Sequence, residues 1–338
     1  MLVCAVVSPK AFEPQHFSDR AYTNQANLFL EEMLENGLLL IDCQGRLKRN
    51  MESNIDRITD VGGGHTVKAF FQEIMKREIM KDSPRKVFIR SRPCNSIDRL
   101  SDCEKIAEEL AKPHWVDALV TAGHQQCASL SRSANVPLAE YQESTFRRRC
   151  KEYCNKGSGS LNTLDEKDAG NVFERIVRFS HRLSFYDKQI GQFKTIGDLR
   201  RFLRGMEYIL EIWSRCCRCD ASDSSIFSIN IITVQRRPNT EITSDTAPPL
   251  EERDTLRAGL LQPLQKKYPL WRFRIVVKKS NPQLHDRLLD AERILIELSR
   301  GFDFFNRARQ FHNQCLRISS RYDYLREWDT TETLFEIT

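Results

Sequence analysis

Short apolar runs alternate along this chain with longer stretches in which apolar positions recur every three or four residues. In the first half the runs are Leu2–Val7, Leu38–Ile41, Val87–Ile89 and Ala118–Val120, each short enough for a buried strand. Between and after them the helical period predicts helices over about Thr23–Asn36, His65–Met80, Ser101–Lys112 and Ala139–Cys154. Strands alternating with helices predict an α/β domain with a mostly parallel sheet. Asn36-Gly37 reads as a left-handed stop to the first helix. Ser101 or Asp102 is suited to cap the third. The glycines of Val61-Gly62-Gly63-Gly64-His65-Thr66 lead into a helix, but the Lys-Ser/Thr of a nucleotide-binding P-loop is missing. The run reads as a flexible turn with Thr66 as the helix cap.

Residues 155–170 break the pattern, being polar and rich in Gly and Ser, as a linker is. With 338 residues the chain suggests two domains, placed at 1–154 and 170–338 with 155–169 between them. The second half is again α/β. Strands are predicted at Leu183–Tyr186, Ile226–Val234, Trp271–Lys278, Leu284–Leu289 and Ile294–Leu298, and helices at Ala169–His181, Ile196–Arg215 and Leu250–Tyr268. Residues 237–249, with Pro238 and Pro248-Pro249, read as a long exposed loop.

Hydrophobic residues make up 40% and charged residues 29%, which suits globular cores, and the net charge of +6 permits a polyanionic partner without requiring one. Arginines cluster at Arg147-Arg148-Arg149, Arg200-Arg201-Arg204 and Arg236-Arg237; acidic residues close by in sequence make each of them read as a solvated face. The 11 cysteines are irregularly spaced, and no apolar run approaches a membrane span. Reduced thiols in the cytoplasm are the expectation. Cys150 with Cys154, and Cys216, Cys217 and Cys219, lack the paired spacing of a zinc site, so buried thiols are expected there.

His285-Asp286-Arg287, with residues 293–305 after it, is the stretch richest in chemistry. On a strand, His285 and Arg287 point to one face. An imidazole beside a guanidinium suits a phosphate, because arginine offers paired donors and histidine can attack or carry a proton. An ordinary strand surface accounts for the same spacing. Trp271–Lys279 alternates apolar with basic residues, so Arg272, Arg274 and Lys278 would extend a positive surface toward the motif.

His285-Asp286-Arg287 and Ser299-Arg300-Gly301-Phe302-Asp303-Phe304-Phe305, with residues 179–190 upstream, resemble the phospholipase D superfamily. The resemblance covers about residues 170–338 and is closest to the phospholipase-D-like C-terminal domain of microtubule-interacting-and-transport proteins and its bacterial relatives. Active members of the superfamily carry His-x-Lys, four residues and Asp; here those places hold His285, Arg287 and Glu292. Arginine is not readily deprotonated, and glutamate shifts the carboxylate by one methylene. The resemblance therefore implies anion binding, through Arg287 and Arg300 with His285, before it implies catalysis through His285 and Glu292. Bacterial proteins of this construction look like components of antiviral defence or mobile-element conflict systems.

In the first half, Asp42, Glu73 and Asp117 are candidate ligands for Mg²⁺ or Mn²⁺, because α/β sheets assemble sites outside strand ends and these cations take oxygen ligands. Asp117-Ala118-Leu119 and the Ser-rich turn after it faintly resemble PIN-type nucleases, although Val7-Ser8-Pro9 stands where such enzymes place an aspartate. His114 and His124 flank Asp117. The leading expectation is a binding component for nucleic acid or a phosphate-bearing surface. A nuclease acting through His285 (in a homodimer) or through the carboxylates and a metal is the second, and a scaffold for a protein partner the third.

Overall fold

A computed structural model describes residues 3–59, 63–79, 87–91, 93–124, 134–156, 166–193, 195–217, 227–235, 250–282, 284, 287–305, 315–319 and 323–338. These form two units, Met1–Cys154 and Asn155–Cys217 with Ser225–Thr338. Both are α/β.

The first unit is built on β1 (Val3–Val7), β2 (Gly37–Ile41), β3 (Phe88–Arg90), β4 (Ala118–Thr121) and β5 (Ala134–Pro137). They pair in the order β3-β2-β1-β4-β5, every neighbour parallel. The helices are α1 (Arg20–Asn36), α2 (Arg46–Asp56), α3 (Gly64–Ile79), α4 (Asn95–Asp98), α5 (Cys103–Ala111) and α6 (Thr145–Lys156). Every residue of β1 and β2 is buried, the signature of a parallel sheet covered on both faces. Two termini differ from the sequence reading. Helix α1 starts at Arg20 because the Asp19 side chain accepts the Ala21 amide at 2.8 Å. Gly37 is extended, with φ −106°, and opens β2; its missing Cβ leaves room for Met33, whose Sδ would lie 2.3 Å from it. Asp102 caps α5, accepting the Glu104 amide at 2.9 Å. Strand β5, and the 3₁₀ turn over Leu138–Glu143 ahead of α6, replace the first turns of a helix expected from Ala139.

In the second unit the elements run α7 (Glu166–Val177), β6 (Arg182–Asp187), α8 (Ile196–Cys216), β7 (Ser228–Val234), α9 (Leu250–Leu256), α10 (Gln262–Lys267), β8 (Arg272–Lys278), β9 (Arg287–Asp290), β10 (Leu295–Leu298), β11 (Leu316–Ser319), α11 (Asp323–Thr330) and β12 (Thr333–Ile337). The sheet order is β11-β10-β9-β6-β7-β8-β12. Strands β6, β7 and β8 are parallel, while β9 returns against β6 and β12 against β8. Residues after 305 gave no sequence expectation, yet β11, α11 and β12 complete this sheet. Leu183, Phe185, Ile229, Ile231, Phe273 and Ile275 bury one face. On the other face Tyr186, Ile232, Val234, Val276, Leu288 and Leu295 gather around Trp328 of α11.

Two glycines set how closely α8 is approached. A Cβ on Gly205 would lie 1.8 Å from the Phe302 carbonyl oxygen, and one on Gly259 would lie 2.6 Å from Leu199. Phe302 in turn stacks edge-on against Phe185 at 4.9 Å, seating the loop after β10 between α8 and the sheet. Gly259 belongs to a wide π-helical turn, Arg257–Leu261, joining α9 to α10, where the Gln262 amide bonds back to the Arg257 carbonyl. Pro263 explains the turn: its ring would meet the carbonyl four residues earlier in a regular helix, and it has no amide to donate. Gly205→Ala should destabilise the second unit by about 1–3 kcal/mol through overpacking. Gly123→Ala, with nothing within 4 Å of the added carbon, should leave the first unit unchanged in the same urea titration.

Candidate anion-binding surface at the carboxyl end of the second sheet

Strand direction decides which candidate side chains can share a site. In the first unit the sheet order turns at β1 and β4, so the crevice at their carboxyl ends is the natural place for a ligand. Ser8, just past β1, is buried there and its hydroxyl donates to the Glu104 carboxylate of α5 at 2.6 Å. A carboxylate thus stands at the end of β1 after all, contributed from a residue 96 positions away, which no local motif signals. Thr121, at the end of β4, donates to the Gly123 carbonyl at 2.8 Å.

The three carboxylates expected to hold a metal do not meet. Asp117 precedes β4, and its amide and carboxylate bond the carbonyl and amide of Cys4 near the start of β1. Cys4 is level with Leu38, so Asp42, four residues farther along β2, lies about 13 Å away along the strand direction. Glu73 is half-buried on α3. Asp42 is fully buried and already engaged: Arg46 Nε donates to it at 2.9 Å and the Leu47 amide at 3.0 Å. Burial pushes its carboxyl up, but the Leu47 amide and the Arg46 guanidinium outweigh burial and hold it below the usual carboxylate range. It ties the start of α2 to the sheet. His114 is exposed, and His124, at the far end of β4 from Asp117, meets Glu140 at 2.8 Å. Among the described residues no group of three His, Cys, Asp or Glu side chains is placed to hold a metal ion. Cys216 and Cys217 are buried, and the Cys217 thiol donates to the Ser180 carbonyl.

In the second unit Arg287 opens β9 directly opposite Asp187, the last residue of β6. Its Nη1 donates to the Ser299 carbonyl at 2.6 Å, which fastens β9 to the turn after β10. Its Nε is buried and meets no acceptor among the described residues. Gly301, with φ +67°, passes so close that a Cβ there would strike the Asp187 carboxylate and the Arg287 side chain. Arg300, between Ser299 and Gly301, is exposed. The N-terminus of α8 lies at this same end of the sheet, because Gly191 on the approach to it packs against the Val234 carbonyl at the end of β7. His285 lies outside the described residues.

The remaining expected members of the site are elsewhere. Glu292 follows β9 at its opposite end, five residues and about 16 Å along the strand from Arg287. Its carboxylate accepts the His181 amide at 2.7 Å and lies 3.6 Å from His181 Nδ1. Burial raises its carboxyl, and the bonds from His181 outweigh this and lower it. Glu292 therefore fastens the β9–β10 turn, in a left-handed conformation with φ 56°, and cannot complete a His-x-Lys-type constellation with Arg287. Arg272 pairs with Ser228, which pairs with Arg182 at the start of β6, so Arg272 too lies at the amino end. Arg274 is ion-paired to Glu336 of β12. Lys278 does reach the carboxyl end, level with Val234, but its ammonium donates to the Thr331 carbonyl at 2.9 Å. A continuous basic stripe from β8 to Arg287 is not formed.

No family model, curated protein or solved structure matches this chain. Among the described residues no helix is long and apolar enough to cross a membrane.

Two outcomes follow for the buried carboxylates. Asp42→Ala should cost about 1–3 kcal/mol, because the buried Leu47 amide loses its acceptor while Arg46 keeps the Leu100 and Ile97 carbonyls. Added Mn²⁺ or EDTA should leave the thermal midpoint of the wild type unchanged. Asp290, buried next to Glu292, is pushed up to about 6 by burial, against the pull of Arg182. A raised carboxyl binds its proton more readily folded than unfolded, so its contribution falls as pH rises from the ordinary carboxylate value through about 6. Urea midpoints should show the wild type losing stability relative to Asp290→Asn across that window.

Proposed function

We propose that the second unit is a binding module for a phosphate-bearing polyanion, nucleic acid foremost, held at the carboxyl end of β6–β8 by Arg287 and Arg300. The observation that carries the reading is the Arg287 guanidinium, whose buried Nε meets no acceptor among the described residues, beside the Ser299–Gly301 turn and the exposed Arg300. The buried Asp187 carboxylate across Gly301 balances the guanidinium from within, so an oxyanion would be held by the solvent-facing part of Arg287 together with Arg300. The helix N-terminus at the same end adds favourable potential for an anion. The resemblance of residues 170–338 to phospholipase-D-like domains of the binding kind supports the same reading, and with it the setting of a cytoplasmic defence or mobile-element conflict system. The irregular spacing of the 11 cysteines suits reduced thiols in such a compartment. Catalysis through Glu292 has no support, since its carboxylate serves the opposite end of the strand.

Fluorescence anisotropy with labelled single-stranded DNA and RNA should show binding that weakens steeply with salt, as counterion release requires. Arg300→Gln should lower the salt slope by about one and weaken binding to both nucleic acids alike. Retention on phosphatidylserine vesicles but not on oligonucleotides would redirect the reading to a membrane surface, and binding to neither at low salt would end it.

A further inference from the structure

A second basic feature of this unit lies on the first turns of α8, on the side that borders α10. Gly197, Arg200 and Arg204 form one stripe of the helix, spaced at i, i+3 and i+7. With Leu203 and with Pro263 of α10 they line a cavity of about 580 Å³. It is a groove open to solvent on one side rather than an enclosed cavity. The cavity owes one wall to the wide turn ahead of α10, which places Pro263 where a regular helix would not.

The nearby acids are occupied. Asp198 accepts the Thr195 hydroxyl at 2.7 Å, Asp303 faces Arg201 at 3.8 Å, and Glu207 and Glu211 both meet Lys267. Arg200 and Arg204 are thus exposed cations one helical turn apart, with no ion pair among the described residues. Like charges at that spacing repel. Two guanidinium groups over one concavity match a phosphate dianion, which takes paired donors from each, and Leu203 and Pro263 offer an apolar wall to the body carrying it.

We infer that the cavity between α8 and α10 is a binding site for a small phosphomonoester with a flat apolar body, of the size of a nucleoside monophosphate. Arg200 and Arg204 hold the phosphate; Leu203 and Pro263 pack against the body. The stripe shares the start of α8 with the proposed polyanion surface but looks another way: Gly205 and Arg201 face the Phe302–Asp303 loop, whereas Gly197, Arg200 and Arg204 border Pro263 of α10.

The test is calorimetric titration of the full chain with adenosine 5′-monophosphate, inorganic phosphate and adenosine, for the wild type, Arg200→Gln, Arg204→Gln and Arg300→Gln. The monophosphate should bind, phosphate alone more weakly and adenosine not measurably. Arg200→Gln and Arg204→Gln should each weaken monophosphate binding by roughly tenfold or more, and Arg300→Gln should leave it unchanged. The side chains replaced are exposed, and unchanged urea midpoints would show that the variants fold. Monophosphate binding indifferent to both substitutions would overturn the proposal, as would no binding up to about 1 mM. Equal losses of monophosphate and oligonucleotide affinity in Arg200→Gln and Arg204→Gln would also overturn it, because the stripe would then belong to the polyanion surface. Intact monophosphate binding with no oligonucleotide binding would leave this site standing and remove the other.

Discussion

Parallel strands sort charged side chains by end. A residue just before a strand and a residue just after its neighbour are separated by the length of the sheet, however close they look in sequence or in chemistry. Asp117 and Asp42 are parted in this way in the first unit; in the second, Arg287 and Glu292 stand at the two ends of one strand, β9. The same rule gathers Arg287, the Ser299–Gly301 turn and the start of α8 at one end, because β9 runs against β6 and β10 against β9. Which charges can cooperate is settled by direction before any side-chain detail.

The charges at these strand ends serve as fasteners in consequence. Asp42 holds α2 to the sheet through Arg46 and Leu47, and Glu292 holds the β9–β10 turn to the start of β6 through His181. Arg287 does the same for the turn after β10, but with one donor in excess. Fastening uses up the hydrogen-bonding capacity that a catalytic or ligating role would need, and the excess donor is what distinguishes Arg287 from the other two.

Strongly periodic segments were legible in the sequence. The apolar runs at Leu38–Ile41 and Ala118–Val120 became β2 and β4, and the long amphipathic run from Ile196 became α8, since burial of a continuous apolar face leaves few alternatives. β11, α11 and β12 were missed because short, half-polar elements draw their stability from partners far away in the chain, Trp328 closing on Tyr186 at 5.4 Å being one such contact. The candidate site suffered in the same way. The family resemblance suggested that His285, Arg287 and Glu292 act together, but β9 ends at Asp290 and the chain turns through a left-handed residue. The arginines of α8 read as a solvated face beside neighbouring acids, but the structure turns Asp198 to Thr195 and Glu207 and Glu211 to Lys267.

The wide turn at Arg257–Leu261 has the effect of one residue added to a helix. A residue occupies about 100° of helical rotation, so α9 and α10 are indexed differently against α8 although they form one rod. The length of this segment, rather than its composition, is therefore what phases Pro263 to the arginine stripe. A chain shorter by one residue there would keep every side chain of the cavity and still present a different wall to it.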